Sequence, residues 1–314
     1  MVIKKLAIIG DGHIRLPKNK DSVEYIEDVR RYDMLHETLV NGNYDSIVFV
    51  GDLFDKARPS LEEIQFVTEF VKDLPNVIII DGNHEAVTKN TSTYDYIQIP
   101  NTTYMPLDRF TIGNTSIQTL GYKHLEDYKY VNKADILLTH FRSNAGIIKE
   151  EIPTIELAKK YKDIILGDIH MMYNPLPNVW YTSSPYGLHY QAKKEQYGYI
   201  ELHITNNSGY TIKRVELDLP KKIKAQMGIA EYLDLVCKDI TDRYVIEVEG
   251  SLQELKSIIA HPLVKVIPKL KDLGTVTSPS VSKESLDILK ALKSSINVEG
   301  KNTDILDKIY KEVM

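Results

Sequence analysis

Five short clusters of aspartate, asparagine and histidine occur within the first 170 residues of the chain. They are Asp11-Gly12-His13, Gly51-Asp52-Leu53-Phe54-Asp55, Gly82-Asn83-His84-Glu85, His140, and Gly167-Asp168-Ile169-His170. Carboxylate and amide oxygens and imidazole nitrogens are donors that bind divalent metal ions in proteins. Residues two apart on an extended segment point the same way, so a pair at that spacing can bind one cation. The clusters therefore favour a metal site.

Two of the clusters indicate particular chemistry. A carboxylate that follows a buried strand, as Asp52 does, can present two oxygens and bridge two metals. Asn83 offers an amide oxygen, and the imidazole of His84 can protonate a leaving group or stabilise charge in a transition state. Taken singly, each cluster has a simpler explanation, because an aspartate after a strand is often a turn or a helix cap. Five such clusters in one region favour a common site.

The elements between the clusters follow a β-α-β-α-β pattern. The sequence predicts strands at Ile3 to Ile9, Ser46 to Val50 and Val77 to Ile80, separated by helices at Val23 to Val40 and Leu61 to Leu74. Continuous apolar strands are typical of a sheet that is buried on both faces. Each cluster comes just after the carboxyl end of a predicted strand, which is where open α/β sheets place their sites. Further strands are predicted at Ile136 to Thr139, Ile164 to Leu166, Trp180 to Ser183, Tyr199 to Ile204 and Tyr210 to Val215, the last two as a hairpin.

The series D-x-H, G-D-x-x-D, G-N-H-E, H and G-x-x-H resembles the calcineurin-like metallophosphoesterase family over residues 1 to about 215. Within that family, Gly51 to Asp55 with Arg58-Pro59-Ser60, and later Tyr181-Thr182-Ser183-Ser184-Pro185, resemble the nuclease subunit of SbcCD-type double-strand-break repair complexes. Within that branch, the chain resembles the bacteriophage recombination nucleases. The resemblance implies an α/β fold, a four-layer αββα sandwich, with a small α+β cap domain and C-terminal helices.

The resemblance also implies a set of site residues. The first metal would be held by Asp11, His13, Asp52 and His170, the second by Asp52, Asn83, His140 and Asp168, and His84 would be the catalytic histidine. The family usually has histidine where this chain has Asp168. A carboxylate suits Mn²⁺ or Mg²⁺, so we expect a second site that is retained but altered, with weaker second-metal binding as the alternative. Two such cations, most simply Mn²⁺, would activate a hydroxide for in-line attack on a phosphodiester.

The domain prediction has three parts: a nuclease domain at 1–217, a cap domain at 218–277 and a helical tail at 278–314. In the cap, a lysine cluster at Lys221, Lys222 and Lys224 is predicted to precede a helix, strand, helix and strand. Its lysines either contact DNA or form a solvated face. The tail either packs on the cap or binds an SbcC-like coiled-coil ATPase subunit, and the resemblance further implies a homodimer.

Composition sets broad limits. With 314 residues, a formal charge of −5 and no long apolar run, the chain is expected to be globular and cytoplasmic, in a host cytoplasm if it is viral. The acidic charge opposes DNA wrapping through overall basicity, although bound cations would reverse the charge of the site itself. The single cysteine, Cys237, is predicted to be a small core residue.

Three functions stay open at this level. The first is a DNA exonuclease and endonuclease, the second is a small-molecule phosphodiesterase or phosphatase on the same core, and the third is a catalytically weak binding subunit. The metal motifs alone do not choose a substrate, and Asp168 motivates the third.

Overall fold

A computed structural model describes residues 2–143, 152–190, 196–205 and 209–271. In chain order its elements are β1 (Val2–Ile9), α1 (Val23–Asn41), β2 (Ser46–Val50), α2 (Leu61–Val71), β3 (Val77–Ile80), β4 (Ala86–Thr88), β5 (Thr91–Ser92), β6 (Thr102–Tyr104), β7 (Arg109–Ile112), β8 (Thr115–Leu120), β9 (Ile136–His140), α3 (Thr154–Lys160), β10 (Asp163–Gly167), β11 (Val179–Tyr181), β12 (Gly198–Thr205), β13 (Tyr210–Glu216), β14 (Lys222–Gly228), α4 (Ile229–Val236), β15 (Arg243–Gly250), α5 (Leu252–Leu255) and β16 (Val264–Leu270). Short 3₁₀ helices occupy Thr93–Asp95 and Tyr122–Lys129.

Two sheets form the centre of the molecule. The first has the strand order β13-β12-β1-β2-β3-β6 and the second the order β11-β10-β9-β8-β7. Strands β1, β2, β3 and β6 run parallel to one another, as do β8, β9, β10 and β11. The predicted hairpin is present as the antiparallel pair β12 and β13, although 206–208 lie outside the described residues.

Alternate residues of the buried strands point into different layers. On β2, Ile47 and Phe49 pack with α1 and α2 residues such as Leu35 and Val67. Val48, from the same strand, instead meets residues of the second sheet. The far face of the second sheet packs against α3 and the 3₁₀ helix Tyr122–Lys129. Helices, sheet, sheet and helices therefore form four layers, which confirms the predicted α/β sandwich.

The two helices of the first layer begin at side-chain caps. Ser22 Oγ accepts a hydrogen bond from the backbone of Tyr25 at the start of α1. Ser60 begins α2 with a capping box, in which its side chain and that of Glu63 satisfy each other's backbone N–H groups. Such caps satisfy backbone donors that the first helical turn leaves unpaired. The Arg58-Pro59-Ser60 segment thus has a structural function as a helix start.

The cap region contains one strand that was not predicted. Lys222 and Lys224 lie on this strand, β14, which pairs in parallel with β15, and the predicted helix, strand, helix and strand follow it as α4, β15, α5 and β16. Ala225 and Met227 pack into the small core formed with α4, whereas Lys224 and Gln226 are more exposed. This period-two alternation is a strand pattern, and the lysines obscured it. Cys237 was also predicted wrongly: α4 ends at Val236, and the thiol beyond it is exposed.

Met1–Lys269 forms one compact unit and Leu270–Met314 a second. The predicted helical tail at 278–314 lies outside the described residues, and the domain boundaries at 217 and 277 stay predictions. None of the helices within the described ranges is long and apolar enough to cross a membrane.

Candidate metal centre

The five clusters meet at the carboxyl ends of parallel strands from both sheets. Asp11 follows β1, Asp52 follows β2 and Asn83 follows β3, which are neighbours in the first sheet. His140 ends β9 and Asp168 follows β10, which are neighbours in the second sheet. Parallel strands end at the same edge of a sheet, so the two layers bring their clusters together.

The backbone at this edge is held in an unusual conformation. Asp11, His13, Asp52 and Asp168 all have positive φ, at 53°, 43°, 53° and 89°. Side chains disfavour this region, and residues held there cluster at functional sites. Hydrogen bonds between the strand ends maintain it, since Asp11 N donates to Gly51 O at 3.2 Å and His13 N to Asp52 O at 2.8 Å. Gly51 itself has φ 87°, and a Cβ there would collide with the His140 ring.

Asp11, His13 and His170 form the first donor group. His13 Nε2 lies 3.2 Å from His170 Nε2, and Asp11 Oδ1 lies 3.9 Å and 3.6 Å from these two nitrogens. Asp52 Oδ2 lies 3.6 Å from His13 Nε2 and thus borders the same space. The ligand atoms of Asp11, His13 and His170 fall within 4.8 Å of one another, close enough to bind one ion.

Asp52, Asn83 and His140 form the second donor group. His140 Nε2 lies 3.4 Å from Asp52 Oδ2 and 2.9 Å from Asn83 Oδ1. His140 Nδ1 lies 2.9 Å from the carbonyl oxygen of Val50, which can only accept a hydrogen bond. Nδ1 therefore carries the proton, and in the neutral ring Nε2 carries the lone pair, as metal-binding histidines require.

Several atoms in these groups that can accept a proton or bind a metal ion face one another. In the second group, the Nε2 lone pair of His140, an Asn83 amide oxygen and an Asp52 carboxylate oxygen converge. Such acceptors repel unless a proton or a cation lies among them. The donor set fits divalent metal ions, because it combines hard oxygens with imidazole nitrogens.

The pKa values of these groups also indicate a demand for positive charge. Burial raises the pKa of Asp11 to about 6, and the nearby Asp52 carboxylate adds to the effect. Burial alone would lower the pKa of His140, but Asp52 and the other carboxylates around it raise the pKa well above its ordinary value. The pKa of His170 is lowered to about 4 by burial and by His13, so this ring is neutral. The centre thus stabilises cations and keeps one imidazole ready to act as a ligand.

His84 lies at the rim of the two donor groups. Its Nδ1–H donates to Asp55 O at 2.8 Å, and its ring meets the ring of His13 edge-on with centroids 4.5 Å apart. Its backbone N–H donates to Asp52 Oδ1 at 2.9 Å. About a third of the side chain, 37%, is exposed, unlike the buried metal-ligand candidates Asp11 and His140. His84 is therefore accessible to a substrate that approaches the donor groups.

The pattern of the calcineurin-like phosphoesterases matches residues 4–200, which contain every predicted site residue. The chain belongs to the calcineurin-like phosphoesterase family. The predicted family and enzyme class are thereby confirmed, and the phosphoesterase is expected to use divalent metal ions.

Three relatives of this phosphoesterase have been named. The chain is 30% identical to "Probable exonuclease subunit 1" of Escherichia phage T5, over 81% of each chain. It is 23% identical to the "DNA double-strand break repair protein Mre11" of Archaeoglobus fulgidus over 56% of this chain and 44% of that one. It is 21% identical to the protein of the same name from Nanoarchaeum equitans over 90% of both. The predicted resemblance to the nuclease branch of the family is therefore confirmed.

Glu85 supports the phosphoesterase site, although the sequence analysis gave it no role. Its carboxylate accepts hydrogen bonds from the backbone N–H groups of Asp52, Phe54 and Gly82 at 2.9, 2.8 and 2.9 Å. The hydroxyl of Tyr94 donates to it as well. Glu85 is fully buried, and burial together with Asp52 raises its pKa to about 7. Its place directly after Asn83 and His84 was the available signal.

Asp55 and the Thr182-Ser183-Ser184 segment hold neighbouring parts of the site. Asp55 Oδ1 lies 3.3 Å from His13 Nδ1, on the opposite side of the ring from the metal-ligand candidates. Ser184 Oγ donates to Asp11 O at 2.9 Å, and Tyr186 OH donates to Gly12 O. These contacts fix the loop that presents Asp11 and His13, which explains why this segment accompanies the metal motifs.

Asp168 lies beside the donor groups, but its carboxylate is paired with an arginine side chain. Arg142 donates to both of its carboxylate oxygens, from Nε at 3.1 Å and from Nη2 at 3.2 Å. Its backbone N–H donates to both carboxylate oxygens of Asp11 at 3.0 and 3.2 Å. Among the described residues, the groups close enough to share an ion include Asp11, Asp52 and His140 but not Asp168. A role for Asp168 as a metal ligand stays a prediction.

Proposed function

We propose that this phosphoesterase is a metal-dependent DNA nuclease with exonuclease and endonuclease activity, and that it is the nuclease subunit of a recombination or double-strand-break repair complex. The observation that carries the proposal is the relationship to a probable exonuclease subunit, which extends over 81% of both chains. The two Mre11 relatives support the same substrate, since they are named as DNA double-strand break repair proteins.

The two donor groups support binding of a pair of metal ions that share Asp52. Asp11, His13, Asp52 and His170 would hold the first, and Asp52, Asn83 and His140 the second. Manganese or magnesium ions, when bound, supply Lewis-acid activation of water and neutralise charge on the phosphodiester. No protein nucleophile is needed, and none of the groups around the donors is arranged as a Ser-His-Asp triad within the described part of the chain.

His84 is proposed to move the proton to the leaving group. The hydrogen bond from Nδ1–H to Asp55 O fixes the ring, so Nε2 is the atom that carries the transferable proton when the ring is charged. The bond from the His84 backbone to Asp52 Oδ1 ties the position of the imidazole to the carboxylate shared by both donor groups. A proton donor that is held in a fixed orientation, within hydrogen-bond reach of the leaving-group oxygen, is what general acid catalysis requires.

A coiled-coil ATPase subunit and a second copy of the chain are proposed as partners. The support is that the phage relative is named as a subunit. The predicted partner-binding tail lies outside the described residues, so its contribution rests on the sequence pattern alone.

The test is cleavage of an end-labelled linear DNA duplex by the purified chain with Mn²⁺, beside bis-p-nitrophenyl phosphate as a generic diester. We expect cleavage of both, and a loss of at least about a hundredfold in His84→Ala, the scale of a missing general acid. His203→Ala is the matched control, because His203 pairs with Lys5 near the start of β1, away from the clusters.

Diester hydrolysis without DNA cleavage, with or without the partner subunit, would contradict the nuclease proposal and indicate a small-molecule phosphodiesterase. Absence of both activities in a chain that binds Mn²⁺ would indicate a binding subunit. Equal losses in the two histidine variants would remove the proposed role of His84.

A further inference from the structure

The paired Arg142 and Asp168 side chains have no role in the metal binding or proton transfer proposed for this site. The guanidinium and the carboxylate form a two-pronged ion pair through Nε and Nη2 of the arginine. The Asp168 side chain is 5% exposed, whereas that of Arg142 is 37% exposed. Such paired bonds fix the plane of a guanidinium as well as its position. Asp168 thus holds the Arg142 guanidinium in place, while part of the arginine side chain stays accessible to solvent.

The Arg142 guanidinium lies next to the two donor groups. Arg142 follows His140 by two residues just after β9, and Asp168 follows β10, the adjacent strand. The Asp168 backbone is bound to both oxygens of Asp11. The guanidinium therefore lies beside the metal centre, on the side of His140.

The charges around the second donor group indicate a function for the Arg142 guanidinium. That group contains a single carboxylate, Asp52, with the amide of Asn83 and the imidazole of His140. Both oxygens of Asp168 are occupied by Arg142, so the carboxylate does not face the group as a free anion. A phosphodiester brought to this side carries negative oxygens, and arginine binds phosphate through paired N–H donors.

We propose that Arg142 binds a phosphate oxygen of the substrate and that Asp168 is a positioning residue that holds its guanidinium beside the second donor group. Asp168 would thus contribute to phosphate binding and not to metal binding. The inference rests on the proposed phosphodiesterase site but not on DNA being the substrate.

The first test measures binding of inorganic phosphate and, separately, of Mn²⁺ by titration calorimetry on the full chain. Loss of one charge-assisted hydrogen bond weakens binding by about tenfold or more, so Arg142→Ala should raise the phosphate Kd by at least that factor. Mn²⁺ stoichiometry and affinity should stay within about twofold. Arg142→Lys should recover only part of the loss, because lysine cannot form the two-pronged pair.

Asp168→Asn provides the decisive second variant. If Asp168 positions Arg142, this variant should raise the phosphate Kd while the number of bound Mn²⁺ ions is unchanged. Arg30→Ala is the control, since Arg30 is a partly exposed arginine on α1 that is paired with Glu27. With bis-p-nitrophenyl phosphate, Arg142→Ala should raise KM more than it lowers kcat, because the contact exists in the bound substrate.

Two outcomes would overturn the inference. One is an unchanged phosphate Kd in Arg142→Ala. The other is loss of one Mn²⁺ ion in Asp168→Asn with phosphate binding intact, which would make Asp168 a metal ligand. Arg142-dependent phosphate binding by a chain that does not cleave DNA would contradict the proposed nuclease function and leave this inference standing.

Discussion

Glu85 connects the loops that carry the metal-ligand candidates. Its two carboxylate oxygens accept hydrogen bonds from the backbones after β2 and β3 and from Tyr94. Because every one of these partners is a donor, a neutral amide in its place would turn an NH₂ group toward other donors. The carboxylate is thus specific to the loop geometry and does not merely fill space.

Replacing Glu85 with glutamine should therefore affect both stability and metal binding. An unsatisfied buried donor costs about 1–3 kcal/mol, so we expect Glu85→Gln to lower the free energy of unfolding by about 2 kcal/mol in urea titrations. The loops of Asp52 and Asn83 should also lose their fixed positions, which would weaken Mn²⁺ binding measured by calorimetry.

Glu63→Gln is a matched control for this change. Glu63 is nearly as buried, and it accepts hydrogen bonds from Ser60 and Lys56 at the start of α2, in the outer layer. It should lose stability with little change in Mn²⁺ affinity. A Glu85→Gln variant that binds Mn²⁺ as tightly as the unmodified chain would show that the loops keep their shape without the carboxylate.

The residue types of the site could be predicted much better than their pairings. The metal-ligand candidates and His84 were predicted because each follows a strong strand pattern, and the structure brings them together at one edge. The Arg142–Asp168 pair was not predicted, because its members are 26 residues apart and meet only through the adjacency of β9 and β10. Side-chain partners of this kind depend on strand order, which a local motif does not contain.

At the level of elements, predictability followed the strength of the local pattern. The bounds of β2 and β3 agree with their predictions because both are continuous apolar runs. Strands β4 to β7 contain two to four residues each, which is too short for a recognisable period. Strand β14 was missed because its lysines alternate with apolar residues and resemble a charged linker.

One polar network joins three elements of the first sheet at the edge away from the metal centre. Glu201 on β12 bonds Lys5 on β1 at 2.8 Å, Tyr44 before β2 at 2.6 Å and His203 at 2.7 Å. Burial opposes ionisation of this carboxyl, but Lys5, Tyr44 and His203 together lower its pKa to about 2. Its charged form is therefore stabilised by folding.

Glu201→Gln should destabilise the chain in a pH-dependent way. A pKa lower in the folded state than in the unfolded chain contributes stability above the unfolded value of 4.5, which is lost as pH falls toward about 2. We expect a loss of about 2 kcal/mol at pH 7, measured in urea. The difference between the two proteins should shrink as pH falls below about 4.5.

Glu216→Gln on β13 is the control, because Glu216 contacts Gln196 at 3.1 Å in an exposed position. It should change stability little at either pH. A Glu201→Gln deficit that is the same at pH 7 and pH 3 would mean that lost packing, and not lost charge, explains it.

For the whole molecule, the metal centre lies where the two sheets meet. The first sheet contributes Asp11, Asp52 and Asn83, and the second contributes His140 and His170. A bound ion would then contact both sheets, so binding requires that the complete sandwich has formed. This links metal binding to the stability of the entire fold and not only to that of the loops.

Mn²⁺ should therefore raise the melting temperature of the full chain, and chelation should reverse the change. A ligand that binds only the folded state adds about 2.7 kcal/mol at a hundred times its Kd, which corresponds to roughly 5–10 °C for a chain of this size. Asp52→Asn should lose most of the shift, since Asp52 borders both donor groups. Asp168→Asn should keep the Mn²⁺-induced shift in melting temperature if the Asp168 carboxylate positions Arg142 and does not bind metal. A melting temperature that does not respond to Mn²⁺ in the unmodified chain would contradict the proposed metal centre. Loss of the shift in Asp168→Asn, with no loss in the control variants, would show that Asp168 is a metal ligand.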